Sequence, residues 1–221
     1  MPRLFIFGDS TAAIKSDDAR PETGWGECFA PYLSPHWILD NRAVNGRSTR
    51  QVLQNGEFFR ALSIAATSDA ALIQYGHNES KPDAERHTEP WTDFVDNLSL
   101  MADSLHSKGV AVFFLTPISR RRFSDGILLD THGDYPLAMK EAGRRLSVPV
   151  LDVTDVTMKL LSELGEEKSR ELFMNFDSGL YPNYPDGDDD NTHLRPYGAK
   201  TIAKIIADLL VEYKPPFLKK M

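Results

Sequence analysis

The chain has little of what several classes of protein require. Cys28 is the only cysteine among 221 residues, so an internal disulfide, a zinc site built from thiolates and a redox pair of cysteines are all excluded. No run of about 18 apolar residues occurs, so no segment is long enough to span a membrane as a helix. The N-terminus also lacks the apolar stretch of a signal peptide. We therefore expect a cytoplasmic protein, or a secreted one whose leader has been removed.

Positive charge is also scarce. The 25 Lys and Arg residues are outnumbered by 32 Asp and Glu residues, which gives a formal net charge of −7. Nucleic acids and anionic membranes bind to basic surfaces, so neither is expected as a partner. The local exception is the run Arg120, Arg121 and Arg122.

The length and the pattern of apolar residues predict one α/β domain over residues 1–221. A chain of this length buries roughly 70% of its unfolded surface in a single domain. Apolar, β-branched runs alternate with helical patterns, which is typical of a parallel sheet with helices on both faces. The predicted strands are 4–7, 38–43, 70–74, 110–115 and 148–151.

Three helices are predicted from periodicity and from their start and stop signals. They cover residues 91–105, residues 135–146 with Asp134 as the N-cap, and residues 196–213. In this pattern Trp91 and Tyr213 belong to the apolar faces, so both are expected to point toward the core.

Polar residues and glycine follow the predicted strands at one edge of the sheet. Ser10, Gly46, Asn78 and Thr116 each come a few residues after a strand, and the ligand site of such a sheet lies beyond the carboxyl ends of its strands. The segment 176–191, rich in Asp, Gly, Pro and Tyr, is predicted as a long loop. Loops of this length in compact domains are either functional or disordered.

A serine near the start of the chain and a histidine near its end suggest nucleophilic catalysis. Ser10 directly follows the first strand and Asp9, and Asp190 precedes His193 by three residues. In a serine hydrolase the histidine accepts the serine proton, and the aspartate holds the other imidazole nitrogen. Taken singly, the serine and the histidine are as well explained as capping or packing residues.

Acyl transfer also needs hydrogen-bond donors for the oxyanion of the tetrahedral intermediate. The backbone N–H of Gly46, the side-chain amide of Asn78 and the backbone N–H of Ser10 are the candidate donors. A single glycine or asparagine is more often only a turn residue. It is the combination with Asp190 and His193 that favours the catalytic interpretation.

These blocks, in this order, resemble the SGNH, or GDSL, hydrolases, and within that group they are most similar to the rhamnogalacturonan acetylesterases. The Ala-Val-Asn-Gly-Arg-Ser string at residues 43–48 is the most specific part of the resemblance. The other matching motifs are Gly8-Asp9-Ser10-Thr11, Gly24-Trp25-Gly26, Gly76-His77-Asn78, Thr116-Pro117 and Asp190-Asn191-Thr192-His193.

The resemblance implies a three-layer α/β/α sandwich around a central five-stranded parallel sheet, the flavodoxin-like fold of the SGNH hydrolases. It implies that Ser10 is the nucleophile, that Gly46 and Asn78 complete the oxyanion hole, that His193 is the base and that Asp190 orients it. No metal or other cofactor is implied. Glu79 departs from the family, which commonly has aspartate there, and its support of the neighbouring turn is therefore open.

The predicted function is that of a serine esterase that removes O-acetyl groups from plant cell-wall carbohydrate, with rhamnogalacturonan oligosaccharides as the leading substrate. An acetylxylan esterase or another short-chain acyl hydrolase is the alternative, and an inactive carbohydrate-binding protein is a further one. Arg120, Arg121 and Arg122 are candidates for holding the carboxylates of galacturonate, because arginine pairs with carboxylates in a bidentate manner. A solvated loop, or an internal salt bridge that holds the loop in place, is the simpler explanation of the three arginines.

Overall fold

A computed structural model describes residues 1–219, and its central element is a five-stranded parallel sheet in the order β2-β1-β3-β4-β7. Two small antiparallel pairs, β5 with β6 and β8 with β9, lie outside it. The prediction of a flavodoxin-like sheet is confirmed, since this is the 2-1-3-4-5 order of that fold. The strands are β1 (Arg3–Gly8), β2 (Ile38–Asn41), β3 (Ala70–Gln74), β4 (Ala111–Leu115), β5 (Phe123–Ser124), β6 (Ile127–Leu128), β7 (Val150–Leu151), β8 (Phe173–Phe176) and β9 (Asp188–Leu194).

Helices cover both faces of the sheet, because successive side chains of a strand point to opposite sides. Leu4 and Ile6 of β1 pack into the core formed with α5 and α6, whereas Phe5 and Phe7 pack into the core formed with α1 to α4. The predicted three layers are therefore present. The helices are α1 (Thr49–Gln54), α2 (Glu57–Leu62), α3 (Val95–His106), α4 (Tyr135–Leu146), α5 (Val153–Ser169) and α6 (Pro196–Leu210).

The expectation that Trp91 and Tyr213 point to the core is wrong for both. Trp91 lies in a π-helical turn, Pro90–Phe94, that precedes α3, and it is 49% exposed. Its indole N–H donates to the Asp134 side chain, which makes no capping hydrogen bond to α4. Tyr213 lies in a 3-10 turn beyond the end of α6 and is 41% exposed.

The segment predicted as a long loop, 176–191, is in part an antiparallel hairpin. β9 begins at Asp188 and pairs with β8. Its residues from Asp188 to Asn191 have low intrinsic preference for strands, so the pairing with β8 rather than their own propensity defines this strand. The tip of the hairpin is attached to the body of the protein, since the Asn183 side-chain amide donates to the backbone oxygens of Asp17 and Arg20 at 2.8 and 2.9 Å.

The two edge strands of the sheet are short. β7 has only two residues, and β2 has four. Asp40 of β2 carries an ion pair with Arg42 at 2.6 Å. Among the helices of residues 1–219, none is both long enough and apolar enough to cross a bilayer.

Candidate active site

Ser10 lies at the carboxyl edge of the sheet, in the turn that follows β1. The side chain of Asp9 is fully buried and accepts hydrogen bonds from the N–H and the hydroxyl of Thr11, both at 2.9 Å. The carbonyl of Asp9 accepts from the N–H groups of Ala12 and Ala13. This tightly bonded turn fixes Ser10, whose residue surface is only 9% exposed.

The structure brings Ser10, His193 and Asp190 into one hydrogen-bonded chain. Nδ1 of His193 lies 2.6 Å from a carboxylate oxygen of Asp190, and Nε2 lies 2.8 Å from Oγ of Ser10. An ionised carboxylate can only accept, so Nδ1 carries the hydrogen and Nε2 is free to accept from the serine hydroxyl. The second oxygen of Asp190 accepts from the backbone N–H groups of Thr192 and His193, which fixes the carboxylate.

The electrostatics of this chain favour a basic imidazole. Burial acts to lower the pKa of His193, but the hydrogen bond from its ring to Asp190 and the charges of Asp190 and Glu22 outweigh burial and raise that pKa above its ordinary value. Burial acts to raise the pKa of Asp190, yet the hydrogen bond from the His193 ring, the charge of that ring and the backbone N–H groups of His193 and Thr192 together lower it to about 2. The aspartate is therefore ionised over the working range of most enzymes.

The candidate oxyanion donors lie in the turns after β1, β2 and β3, and the segment before Gly46 is tied to the end of β1 by a hydrogen bond from the Val44 N–H to the backbone oxygen of Gly8 at 3.1 Å. Gly46 has a φ of +74°, a left-handed conformation that favours glycine. Within residues 1–219, neither the N–H of Gly46 nor that of Ser10 donates to a protein oxygen. The side-chain amide of Asn78 donates one hydrogen to the backbone oxygen of Arg47 at 3.0 Å, which leaves its second hydrogen for a ligand.

An ion pair that the sequence patterns did not indicate lies next to His193. Nζ of Lys15, whose side chain is 1% exposed, lies 2.6 Å from Oε1 of Glu22 and donates to the side-chain oxygen of Asn45 at 2.8 Å. The same Glu22 oxygen is 4.0 Å from Nε2 of His193. Neither spacing nor periodicity marks these residues, because their proximity depends on how the turns after β1 and β2 meet.

The three consecutive arginines have different environments. Arg121 is buried, and its guanidinium donates to the backbone oxygen of Glu166 and to the side chains of Ser169 and Asn191. Arg120 is partly buried and donates to the backbone oxygen of His77 at 2.8 Å. Arg122 is exposed.

All three arginines line one cavity of about 350 Å³ next to the catalytic histidine candidate. Asn191 and Thr192, the two residues before His193, form part of its wall. The cavity is thus next in sequence to His193, and its charged lining residues are three arginines and Glu166. This is an arrangement suited to an anionic group of a bound ligand.

Comparison with known proteins identifies relatives over the full length of the chain. The model of the GDSL-like lipase/acylhydrolase family matches residues 6–200. The rhamnogalacturonan acetylesterase RhgT of Bacillus subtilis (strain 168) is 37% identical over 97% of this chain and 91% of its own length. The probable rhamnogalacturonan acetylesterase YesY of the same organism is 29% identical over 99% and 96% of the two chains.

Solved structures show the same fold at lower identity. The crystal structure of the YXIM protein of Bacillus subtilis superimposes with a TM-score of 0.84 at 20% identity, over 98% of this chain and 58% of that one. A variant of Axe2, an acetyl-xylooligosaccharide esterase from Geobacillus, superimposes with a TM-score of 0.63 at 15% identity, over 100% and 97% of the two chains.

Proposed function

We propose that this chain, which belongs to the GDSL-like lipase/acylhydrolase family, is a serine esterase that removes O-acetyl groups from rhamnogalacturonan oligosaccharides. The observation that carries the proposal is the chain of 2.8 and 2.6 Å hydrogen bonds from Ser10 through His193 to Asp190. The names of the relatives RhgT and YesY support the choice of substrate.

In the first step Oγ of Ser10 attacks the carbonyl carbon of the acetyl ester while Nε2 of His193 accepts its proton. The carbonyl oxygen becomes an oxyanion, and the N–H groups of Ser10 and Gly46 and the amide of Asn78 donate hydrogen bonds to it. The bond between the carbonyl carbon and the sugar oxygen then breaks. His193 returns the proton to that oxygen, the sugar leaves with a free hydroxyl, and the acetyl group stays on Ser10.

In the second step a water molecule takes the place of the sugar. His193 accepts a proton from the water, whose oxygen attacks the acetyl carbon, and the same donors stabilise the second oxyanion. The bond to Oγ of Ser10 breaks, His193 returns the proton to Ser10 and acetate leaves. Asp190 stabilises the imidazolium in both steps and is not itself protonated.

The arginine cavity supplies a site for the acidic sugar of this substrate. In this proposal Arg120 and Arg122 pair with a galacturonate carboxylate, because the guanidinium of Arg121 is already bonded to Glu166, Ser169 and Asn191. Pairing there would hold the acidic residue next to His193 and orient the neighbouring acetyl ester toward Ser10.

The test is acetate release from a panel of acetylated rhamnogalacturonan, xylan and chitin oligosaccharides of similar length, with Ser10→Ala as the inactive control. We expect the highest kcat/KM on the rhamnogalacturonan oligosaccharide. A preference for the xylan member would identify an acetylxylan esterase. If p-nitrophenyl octanoate is hydrolysed as fast as p-nitrophenyl acetate, the chain is a general acyl hydrolase. No turnover of any ester would identify the chain as a binding protein.

The cytoplasmic location stays a prediction, to be tested by fractionation of the source cells.

A further inference from the structure

We propose that Glu79 is a positioning residue that holds the two halves of the oxyanion hole together. One half is the turn that carries Gly46, and the other is the loop that carries Asn78. The inference rests on the proposed esterase mechanism, in which these two residues supply donors to the oxyanion. Glu79 itself touches neither substrate nor reacting atoms.

The carboxylate of Glu79 forms hydrogen bonds to both halves. Its side chain is fully buried. Oε1 accepts from the backbone N–H of Thr49 at 2.8 Å, while Oε2 accepts from the N–H of Gly76 at 2.9 Å and that of Asn78 at 3.1 Å. Thr49 begins α1, three residues after Gly46, whereas Gly76 and Asn78 follow β3. One side chain therefore joins two strand-end turns that are about thirty positions apart in the sequence.

The three hydrogen bonds of this contact are strongest when the carboxyl group of Glu79 is ionised. Three N–H donors converge on it from two sides, and a carboxylate can accept on both oxygens. Burial raises the pKa of Glu79 to about 7, while the hydrogen bonds from Thr49 and Gly76 oppose that rise. A neutral amide of the same shape has only one accepting oxygen, so it can satisfy one half of the hole but not both.

Two further contacts constrain the position of the loop that carries Gly76 and Asn78. A Cβ atom on Gly76, whose φ is +130°, would lie 2.7 Å from the ring of Pro117. The Asn78 side chain donates to the backbone oxygen of Arg47, a second link between the halves. With the loop held against Pro117, loss of the Glu79 link displaces mainly the turn of Gly46. A displacement of about 1 Å at a catalytic site can cost on the order of 100-fold in rate.

The first test is Glu79→Gln, which keeps the size and removes one acceptor. In either orientation of the amide, its NH₂ group faces a backbone N–H. We expect kcat on p-nitrophenyl acetate to fall about 10- to 100-fold with KM changed less than about twofold. Inhibition by a phenylboronic acid, which forms a tetrahedral adduct with the serine, should weaken by a similar factor.

Asp69→Asn is the matched control for a purely structural loss. Asp69 is also a buried carboxylate, 4% exposed, and it accepts from the backbone N–H groups of Arg3 and Ala66 at 2.7 and 2.9 Å. It lies just before β3, at the opposite edge of the sheet from Ser10. We expect this variant to lower the melting temperature without lowering kcat.

A second pair of variants removes the Thr49 donor without changing Glu79. Thr49 is the first residue of α1, where proline is well tolerated, and the preceding Ser48 has φ −101° and ψ 169°, an extended conformation compatible with a following proline. Thr49→Pro removes the N–H, whereas Thr49→Ala removes the side chain and keeps the N–H. We expect a lower kcat for the proline variant than for the alanine variant.

The outcomes separate this inference from the proposed mechanism. If Ser10→Ala remains active, the mechanism is wrong. If Ser10→Ala is inactive but folded Glu79→Gln keeps the wild-type kcat, or if Asp69→Asn loses as much kcat as Glu79→Gln, the positioning role is wrong. If Glu79→Gln does not fold, the comparison of Thr49→Pro with Thr49→Ala tests the proposal instead. Equal kcat values for these two variants would overturn it.

Discussion

The carboxyl edge of the parallel sheet and the β8–β9 hairpin hold their functional residues in different ways. Ser10 and Asn78 follow central strands and are 9% and 7% exposed. Asp190 and His193 lie on the hairpin, outside the main sheet, and their side chains are 32% and 30% exposed. Under the proposed mechanism, the nucleophile and an oxyanion donor are placed by turns after β1 and β3, whereas the histidine base and the aspartate that orients it are placed by the hairpin.

Hydrogen bonds at both ends of the hairpin fix its position relative to the sheet, in addition to the burial of Phe173 and Leu194 in the core. The backbone N–H of Arg121, in the segment after β4, donates to the backbone oxygen of Asn191 at 2.8 Å, and its guanidinium donates to the Asn191 side chain at 2.7 Å. At the other end, Asn183 bonds to the turn around Asp17. The comparison shows that the distance between Ser10 and His193 depends on the attachment of the hairpin as well as on the core.

The largest expected losses of kcat come from removing Ser10, which follows the sheet, or His193, which lies on the hairpin. Ser10→Ala and His193→Ala should each lower kcat on the order of 10⁵- to 10⁶-fold, because removal of either stops the same step. Initial rates on p-nitrophenyl acetate, with circular dichroism to verify folding, provide the measurement. Since the two residues act as one unit, the double variant should be no slower than either single one, and additive losses would contradict their coupling.

Asp190→Asn tests the hairpin side alone, and we expect kcat to fall about 10⁴-fold. Asp190 helps to hold the pKa of His193 above its usual value. In the wild type, activity should therefore be lost as the pH falls through that raised pKa, because a protonated imidazole cannot accept from Ser10. In the variant the acid limb of the pH profile of kcat/KM should move to lower pH, and an unmoved limb would argue against the assignment.

Asn78→Ala tests the sheet side alone. We expect kcat to fall on the order of 10²- to 10³-fold with little change in KM, the usual effect of removing one oxyanion donor. Steady-state kinetics on p-nitrophenyl acetate check this. A large rise in KM with kcat preserved would instead make Asn78 a substrate-binding residue.

The smallest expected losses are those of variants in the segment after β4, which is hydrogen-bonded to the hairpin through Arg121. Arg120→Gln and Arg122→Gln should raise KM roughly tenfold on an acetylated acidic oligosaccharide and leave p-nitrophenyl acetate unaffected, because only the former carries a carboxylate. High salt should weaken binding of the acidic substrate more in the wild type than in the variants. Equal losses on both substrates would show that these arginines shape the site rather than bind the sugar.

The sequence predicted the sheet well because its signals are local. β1, β3 and β4 are compact, mostly apolar runs, and the predicted bounds 70–74 are those that the structure shows for β3, whereas β2 ends in two polar residues. α5 was not predicted, since threonines occupy two of its buried positions, Thr154 and Thr157, and Gly165 interrupts its helical geometry with a φ of +72°. An apolar periodicity cannot be recognised where polar side chains are buried in place of apolar ones.

The candidate site was predictable in part for a related reason. Ser10, Gly46, Asn78, Asp190 and His193 lie in short motifs with distinctive composition. The structure joins Ser10, His193 and Asp190 by hydrogen bonds and joins Asn78 to the turn that carries Gly46. The proximity of Glu22 to His193 and the reach of Glu79 to Thr49 depend on how separate turns meet in space. No pattern within one segment encodes a contact between two segments.

The short edges of the sheet bear on how this protein behaves in concentrated solution. An exposed edge strand offers unpaired N–H and C=O groups to the edges of other molecules, and such pairing is a common start of aggregation. β7 offers only two residues for this, and β2 has four, of which Asp40 is charged and pairs with Arg42 just beyond the strand. The same features that end the sheet after five strands therefore also discourage its extension from one molecule to the next.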